Sequence, residues 1–261
     1  MGVPVVTAGT PSLGWSRRRE ESEVPLLYWW SKYVLHGPLM RLLARPTIEG
    51  LEHIPARGGA ILAGNHLAVA DSFLVPLLVR RRITYLAKRE YFTQTGLVGW
   101  IKKVFFTGVG QVPVDRAVGS EAQAALDTAI RLLRDGKLLG IYPEGTRSPD
   151  GRLYKGKTGV ARMALEAGVP VIPVAVIGTN ELNPIGSRMW RPHHVHIRIG
   201  EPLDFSRYAG MAGDRFIERS MTDEIMYALM ELSGQTYVDV YAASVKERAA
   251  DTSRLPDSKA G

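Results

Sequence analysis

Residues 64–72 read Gly-Asn-His-Leu-Ala-Val-Ala-Asp-Ser, and within them His66 and Asp71 are side chains that can share a proton. A carboxylate on one imidazole nitrogen fixes the tautomer and leaves the other nitrogen free as a general base. Inside a single helix, a separation of five residues turns two side chains about 140° apart. The pair therefore meets only if His66 lies on the connection before a helix and Asp71 in its first turns. The alternative is a lone histidine beside a capping aspartate.

Three further runs carry polar chemistry at the end of an apolar segment. Residues 108–116 close on Pro113, Val114, Asp115 and Arg116, which places Arg116 where a strand gives way to a loop, the usual seat of binding residues. Residues 142–148 read Tyr-Pro-Glu-Gly-Thr-Arg-Ser. In that run Glu144 is a hydrogen-bond acceptor, Gly145 lets backbone approach a ligand, and Arg147 offers a planar fork suited to phosphate. Taken singly, each also reads as an ordinary charged turn. Residues 169–180, with Pro170 and Pro173, read as a buried strand.

Two patterns compete for attention. Residues 151–158, Gly-Arg-Leu-Tyr-Lys-Gly-Lys-Thr, satisfy the phosphate-cradling P-loop spacing. A true P-loop follows its strand directly, whereas here a Ser-Pro-Asp-Gly turn intervenes, and Arg152, Leu153 and Tyr154 are bulky for an anion nest. His193, His194 and His196 cluster at a strand, but no third ligand for a metal is evident from spacing.

The elements that must position these residues alternate in α/β fashion from Thr47 onward. Short apolar runs predict strands at 60–64, 83–87, 108–114, 138–142, 171–177 and 194–199. Helices are predicted near 72–80, 97–103, 121–134, 158–167 and 215–232. The clearest is 121–134, with Ser120 and Gln123 at capping-box spacing and Gly136 after its end. The expected fold is a mixed, largely parallel sheet with helices on both faces.

The chain has 261 residues, 45% hydrophobic and 23% charged, which suits one large domain. It has no cysteine, which excludes a disulfide framework, a thiolate metal site and a cysteine nucleophile. A net charge of +7 favours anionic partners such as nucleic acid, lipid surfaces or phosphorylated substrates. No nucleic-acid-reading motif accompanies that charge, so nucleic acid is not an expected partner. No secretory signal is expected at the N-terminus. Residues 1–23 read as a disordered tail, 24–45 as amphipathic helices broken at Pro38, 46–235 as the α/β domain and 236–261 as a C-terminal tail. The 24–45 segment is too interrupted by Lys32, His36 and Arg41 to span a bilayer. Its Tyr28, Trp29, Trp30 and Tyr33, with its basic residues, suit docking at a membrane interface; a core-packing helix is the alternative.

The four runs in this order resemble the blocks of the glycerolipid acyltransferase family, particularly the 1-acyl-glycerol-3-phosphate acyltransferases. The likeness rests on Asn65-His66-x4-Asp71, Pro113-Val114-Asp115-Arg116, Pro143-Glu144-Gly145-Thr146-Arg147-Ser148 and the Val-Pro-Val-Ile-Pro-Val run from Val169. It departs from the family at Tyr142, where phenylalanine is frequent, and at Tyr154–Gly159, where a Phe-Lys-Lys-Gly-like run is usual.

The resemblance implies transfer of an acyl chain from acyl-CoA or acyl carrier protein to the sn-2 hydroxyl of 1-acyl-glycerol-3-phosphate, giving phosphatidic acid. Other lysolipids or glycerol-3-phosphate remain alternative acceptors. No metal or redox cofactor is implied. Attachment is expected at the cytoplasmic face of the cell membrane, on anionic lipid. His66 would be the base and Asp71 its orienting partner. Asn65, Lys88, Arg116, Glu144, Gly145, Thr146 and Arg147 would bind substrate, with the arginines on phosphate and Glu144 on an acceptor hydroxyl.

Overall fold

Strands of four to seven apolar residues, buried from both sides, need helices over each face, and this need organises the molecule. The computed structural model describes residues 34, 36–87, 96, 111–113, 121–187 and 189–254. In chain order the elements are α1 (His36–Ala44), β1 (Thr47–Glu49), β2 (Ala60–Gly64), α2 (Asp71–Leu78), β3 (Ile83–Ala87), β4 (Gln111–Pro113), α3 (Glu121–Arg134) and β5 (Leu138–Ile141). There follow β6 (Leu153–Tyr154), α4 (Gly159–Ala167), β7 (Val171–Ile177), α5 (Thr179–Leu182), β8 (His196–Ile199), α6 (Arg215–Ser233), β9 (Tyr237–Val238) and α7 (Ala242–Arg254).

Among the described residues the main sheet has seven strands in the order β1-β8-β7-β2-β5-β3-β4. Its neighbours run parallel except β7 and β8, which are antiparallel. The two-residue alternation of strand side chains divides the core in two. Ala60 and Leu62 of β2 point to one face, where Met40 of α1 and Leu74, Val75 and Leu77 of α2 cover them. Ile61 and Ala63 point to the other, under Ile130 and Leu133 of α3, Val160 and Ala164 of α4, and Met221 and Ile225 of α6.

The register of the parallel strands decides where chemistry can occur. Ala63 of β2 pairs with Ile141 of β5, and Tyr85 of β3 pairs with Gly140. The loops leaving β2 and β5 therefore emerge side by side at the carboxyl edge of the sheet, where open α/β sheets bind ligands. β3 and β4 are parallel to β5 and end at the same edge, so the chain enters residues 88 and 114 from it.

Strands β2, β3 and β7 and helix α3 match the predicted ranges, and β5, β8, α2, α4 and α6 match within two residues. The helix predicted at 97–103 and the outer parts of the strand predicted at 108–114 lie outside the described residues, as do Ser120 and most of residues 1–35. Pro38 does not break α1: it sits in the first turn, where a missing N–H costs no helical bond. The tail expected over 236–261 carries β9, which pairs with β6, and then α7, so the chain is ordered structure through residue 254. Among the described residues, no helix is long and apolar enough to cross a membrane.

Candidate active site

Strand β2 ends at Gly64, and the connection to α2 carries His66 before the helix and Asp71 as its first residue. That is the one arrangement in which the five-residue spacing lets the two meet. Oδ2 of Asp71 lies 2.9 Å from His66 Nδ1, and it also accepts the backbone amides of Leu67 at 2.7 Å and Ala68 at 2.9 Å. The carboxylate thus curls the connection around itself and aims the imidazole. Asp71 is fully buried, while the His66 side chain is 16% exposed. With Nδ1 donating to Asp71, Nε2 is left as the unprotonated nitrogen.

The His66 imidazole stacks on the ring of Tyr142, with centroids 3.9 Å apart and planes 9° from parallel. The Tyr142 hydroxyl shares a 3.0 Å hydrogen bond with Ser72 Oγ. Burial, and then neighbouring Tyr85, hold the Tyr142 phenol well above its ordinary pKa. Tyr85 reaches this place from β3 because Gly140 of β5 has no side chain; a Cβ there would overlap the Tyr85 ring. A cleft of about 350 Å³ opens at this point, within the range of small-ligand sites. His66, Ser72, Tyr85 and Tyr142 line it together with Gly145, Thr146 and Arg147, and Leu86, Leu139, Ile141 and Met163 make it partly apolar.

Glu144 does not face the cleft. It is buried, and its two oxygens accept the amide of His66 at 3.1 Å and that of Tyr154 at 2.9 Å. Burial pushes its pKa up to about 7, offset in part by those two amides. Asn65 is likewise enclosed. Its amide nitrogen donates to Val176 O at 2.9 Å and Gln235 Oε1 at 2.7 Å, and its oxygen accepts Val176 N at 2.7 Å. With every hydrogen-bonding direction along the chain committed, Asn65 clamps the end of β2 to β7 and positions His66 rather than touching a ligand. Glu144, expected to hold a substrate hydroxyl, instead holds backbone, for the same reason.

Gly145 takes a left-handed φ of 72° and turns the chain so that Thr146 and Arg147 line the cleft. The structure therefore brings His66, Asp71, Gly145, Thr146 and Arg147 together at the open site, with Asn65 and Glu144 behind them. Lys88 and Arg116 lie outside the described residues.

The P-loop-like run is built differently from a phosphate cradle. Leu153 and Tyr154 at its centre form strand β6, pairing with β9, and are fully buried. The histidine cluster runs into β8, with His193 and His194 before the strand and His196 its first residue; none of them lines the cleft, His194 and His196 are in edge contact at 4.2 Å, and His196 Nδ1 is 2.9 Å from Thr47 Oγ1. No group of three metal-ligating side chains is present among the described residues.

Sequence reasoning did not find Ser72, Tyr85, Gln235 or Lys246 as parts of this neighbourhood, and it noted Tyr142 only as a departure from a pattern. The small residue at position 140, which the strand pairing sets opposite Tyr85, is a signal that becomes readable only once the register is known. Gln235 and Lys246 arrive from a distant part of the chain and have no local signature.

Residues 45–177, half of the chain, match the family described as Acyltransferase. The chain is 31% identical over 163 residues to a chloroplastic 1-acyl-sn-glycerol-3-phosphate acyltransferase of Arabidopsis thaliana, covering 62% of this chain and 44% of that protein. It is 27% identical over 199 residues to the 1-acyl-sn-glycerol-3-phosphate acyltransferase of Bacillus subtilis, covering 76% of this chain and 92% of that one. The chain spans less than half the length of the first plant relatives it matches, from Arabidopsis thaliana and Brassica napus. The crystal structure of a 1-acyl-sn-glycerophosphate acyltransferase from Thermotoga maritima superposes with a TM-score of 0.59 at 26% identity, covering 84% of each chain.

Proposed function

The chain belongs to the acyltransferase family, and from that premise we propose that it moves an acyl group from a thioester to the sn-2 hydroxyl of 1-acyl-glycerol-3-phosphate. The observation that carries this reading is the Asp71–His66 pair on the wall of the cleft beside Arg147. His66 Nε2 takes the proton of the acceptor hydroxyl as its oxygen attacks the thioester carbonyl. The carbon–oxygen bond forms and the carbon–sulfur bond breaks. The proton held by His66 passes to the leaving thiolate, giving an ester and a free thiol. Asp71 stabilises the imidazolium that exists between those steps. Attack is direct, since no cysteine exists in the chain and Ser72 bonds the Tyr142 phenol rather than a base.

Arg147 binds the acceptor phosphate, with Arg116 and Lys88, which lie outside the described residues, as the further candidates for it. The names of the relatives support the acceptor, and a guanidinium on the cleft suits a phosphomonoester. Either acyl-CoA or acyl carrier protein fits as donor.

Residues 24–45 dock the enzyme on an anionic membrane surface. Support comes from α1, where Leu39 and Leu42 are exposed beside Arg41 while Met40 and Ala44 face the core. Loss of co-sedimentation with anionic vesicles on deleting 24–35 and replacing Leu39 and Leu42 with serine tests this; a folded variant so altered that still binds refutes it.

The experiment that tests the activity is thiol release from palmitoyl-CoA and from palmitoyl-acyl carrier protein with a panel of acceptors. Release strictly dependent on 1-acyl-glycerol-3-phosphate supports the proposal. Release dependent on another lysolipid or on glycerol-3-phosphate moves the enzyme to that acceptor, and no release with any acceptor overturns it.

A further inference from the structure

The loop that lines the cleft with Thr146 and Arg147 is held from outside the family-matched region. Helix α7 begins at Ala242, and its fifth residue, Lys246, points at that loop. The Lys246 ammonium donates to Thr146 Oγ1 at 2.9 Å and, by a shorter bond, to the carbonyl oxygen of Arg147. The segment leading to α7 is tied to the same neighbourhood. Gln235 donates to Gly151 O at 2.6 Å and accepts from Asn65, and β9 pairs with β6 directly after the loop.

The charges here are unbalanced. Burial, and then the neighbouring Arg147 guanidinium, lower the pKa of Lys246. The aliphatic stem of Lys157 passes over Gly145, adding a third cation to the loop. Among the described residues neither Lys157 nor Lys246 has a carboxylate within ion-pair distance, and the carboxyl group whose charge acts on Lys246 is that of the buried Glu144. Three cations gathered beside one buried carboxyl group are relieved when an anion binds between them.

Resting on the acceptor proposed above, we propose that Lys246 is a positioning residue that latches the Thr146–Arg147 loop, and so presents Arg147 to the phosphomonoester of the acceptor. The C-terminal segment 235–246 is then part of the active site. One ammonium proton remains after the two loop bonds, and it adds positive potential to the same subsite without being needed for the acyl step.

The same chemistry exists on CoA, whose ribose carries a phosphomonoester, so the test separates the two sources. Steady-state kinetics are measured on the full chain and on Lys246→Met and Lys246→Arg, with palmitoyl-CoA and either 1-acyl-glycerol-3-phosphate or 1-acyl-glycerol. Lys246→Met is expected to raise the KM of the phosphorylated acceptor about tenfold, the effect of one charged hydrogen bond. The donor KM and the weak use of 1-acyl-glycerol should change far less, and Lys246→Arg should restore most of the loss. Equal losses with both acceptors overturn the assignment, as does a rise confined to the donor KM, which places the anion on CoA.

A substrate-free arm separates this inference from the acceptor it rests on. Amide hydrogen exchange over residues 144–148 should be about tenfold faster in Lys246→Met. Unchanged exchange overturns the latch whatever the enzyme acylates. Faster exchange in a chain that acylates neither acceptor upholds the latch and removes the headgroup assignment. Should Lys246→Met not fold, Lys246→Ala, which likewise removes both the donors and the charge, answers the same two questions.

Discussion

The carboxylate of Glu144 holds the backbone amide of His66 at 3.1 Å, while the carbonyl of His66 accepts the amide of Ser148 at 2.7 Å. The connection after β2 and the loop after β5 are therefore stitched on both sides of the histidine. Two sequence blocks 78 residues apart behave as one rigid unit. The glutamate fixes where the base stands, and the arginine three residues later faces the cleft.

Burial of Glu144 gives the fold a pH signature. Its pKa rises from 4.5 to about 7 in the folded state, so the native chain holds a proton that the unfolded chain has released between those values. The contribution of Glu144 to stability is thus fully present below pH 4.5, falls as pH rises, and is lost above pH 7, by about 3 kcal/mol at most. Denaturant titrations from pH 4.5 to 7.5 should show this decline in the wild type and not in Glu144→Gln. The variant also starts lower by about 1–3 kcal/mol, because the two N–H donors meet different oxygens and the NH2 that replaces one of them cannot accept. Parallel pH curves for the two proteins would contradict the raised pKa.

His66→Ala should lower kcat by about 10²–10⁴-fold with little change in thermal midpoint, since the ring is partly exposed. Asp71→Asn should lose a comparable factor through the wrong tautomer and an unstabilised imidazolium. The double variant should be no slower than the worse single one, because the two act as a unit. Additive losses would mean that Asp71 acts independently of His66.

Asn65→Ala discriminates positioning from binding. Removing the amide leaves Val176 N and Val176 O without partners in a buried place and takes one partner from the half-buried Gln235, a cost of about 2–4 kcal/mol. The thermal midpoint should drop by roughly 5–10 °C, and kcat should fall because His66 loses its anchor. The acceptor KM of the folded fraction should hold. A raised acceptor KM at unchanged stability would return Asn65 to the ligand.

How far the fold was legible follows from the range of each interaction. Strands β2 and β7 announce themselves because five to seven consecutive small or apolar residues are bounded by turn formers, β3 because a mostly apolar run stands between charged ones, and α3 because its apolar face repeats at helical period. The His66–Asp71 contact was legible because the spacing admits one geometry. The roles of Asn65 and Glu144 were not, because a polar residue in a loop reads alike whether it meets a ligand or a distant backbone. Strands β6 and β9, two residues each, and the largely polar helix α7 carry no periodic signal of their own, and only their pairing in space gives them shape.

Tyr142 separates the work of a ring from that of a hydroxyl. The ring forms one wall for the His66 imidazole, and the hydroxyl bonds Ser72 beside the cleft. Tyr142→Phe keeps the wall and removes the hydroxyl's bonds to Ser72 and Tyr85, both of which border the open cleft, where water can replace the lost group. The expected cost is about 1 kcal/mol of stability or less, with kcat within about threefold of wild type. Tyr142→Leu removes the flat surface against which the imidazole plane is set, so kcat should fall about tenfold while the acceptor KM changes little. Gly140→Ala should move activity in the same direction as Tyr142→Leu, because the added methyl drives the Tyr85 ring towards Tyr142. Turnover and thermal midpoints of the three variants decide the matter. If Tyr142→Phe were as slow as Tyr142→Leu, the hydroxyl would be the operative group, and Ser72→Ala would then have to reproduce the loss.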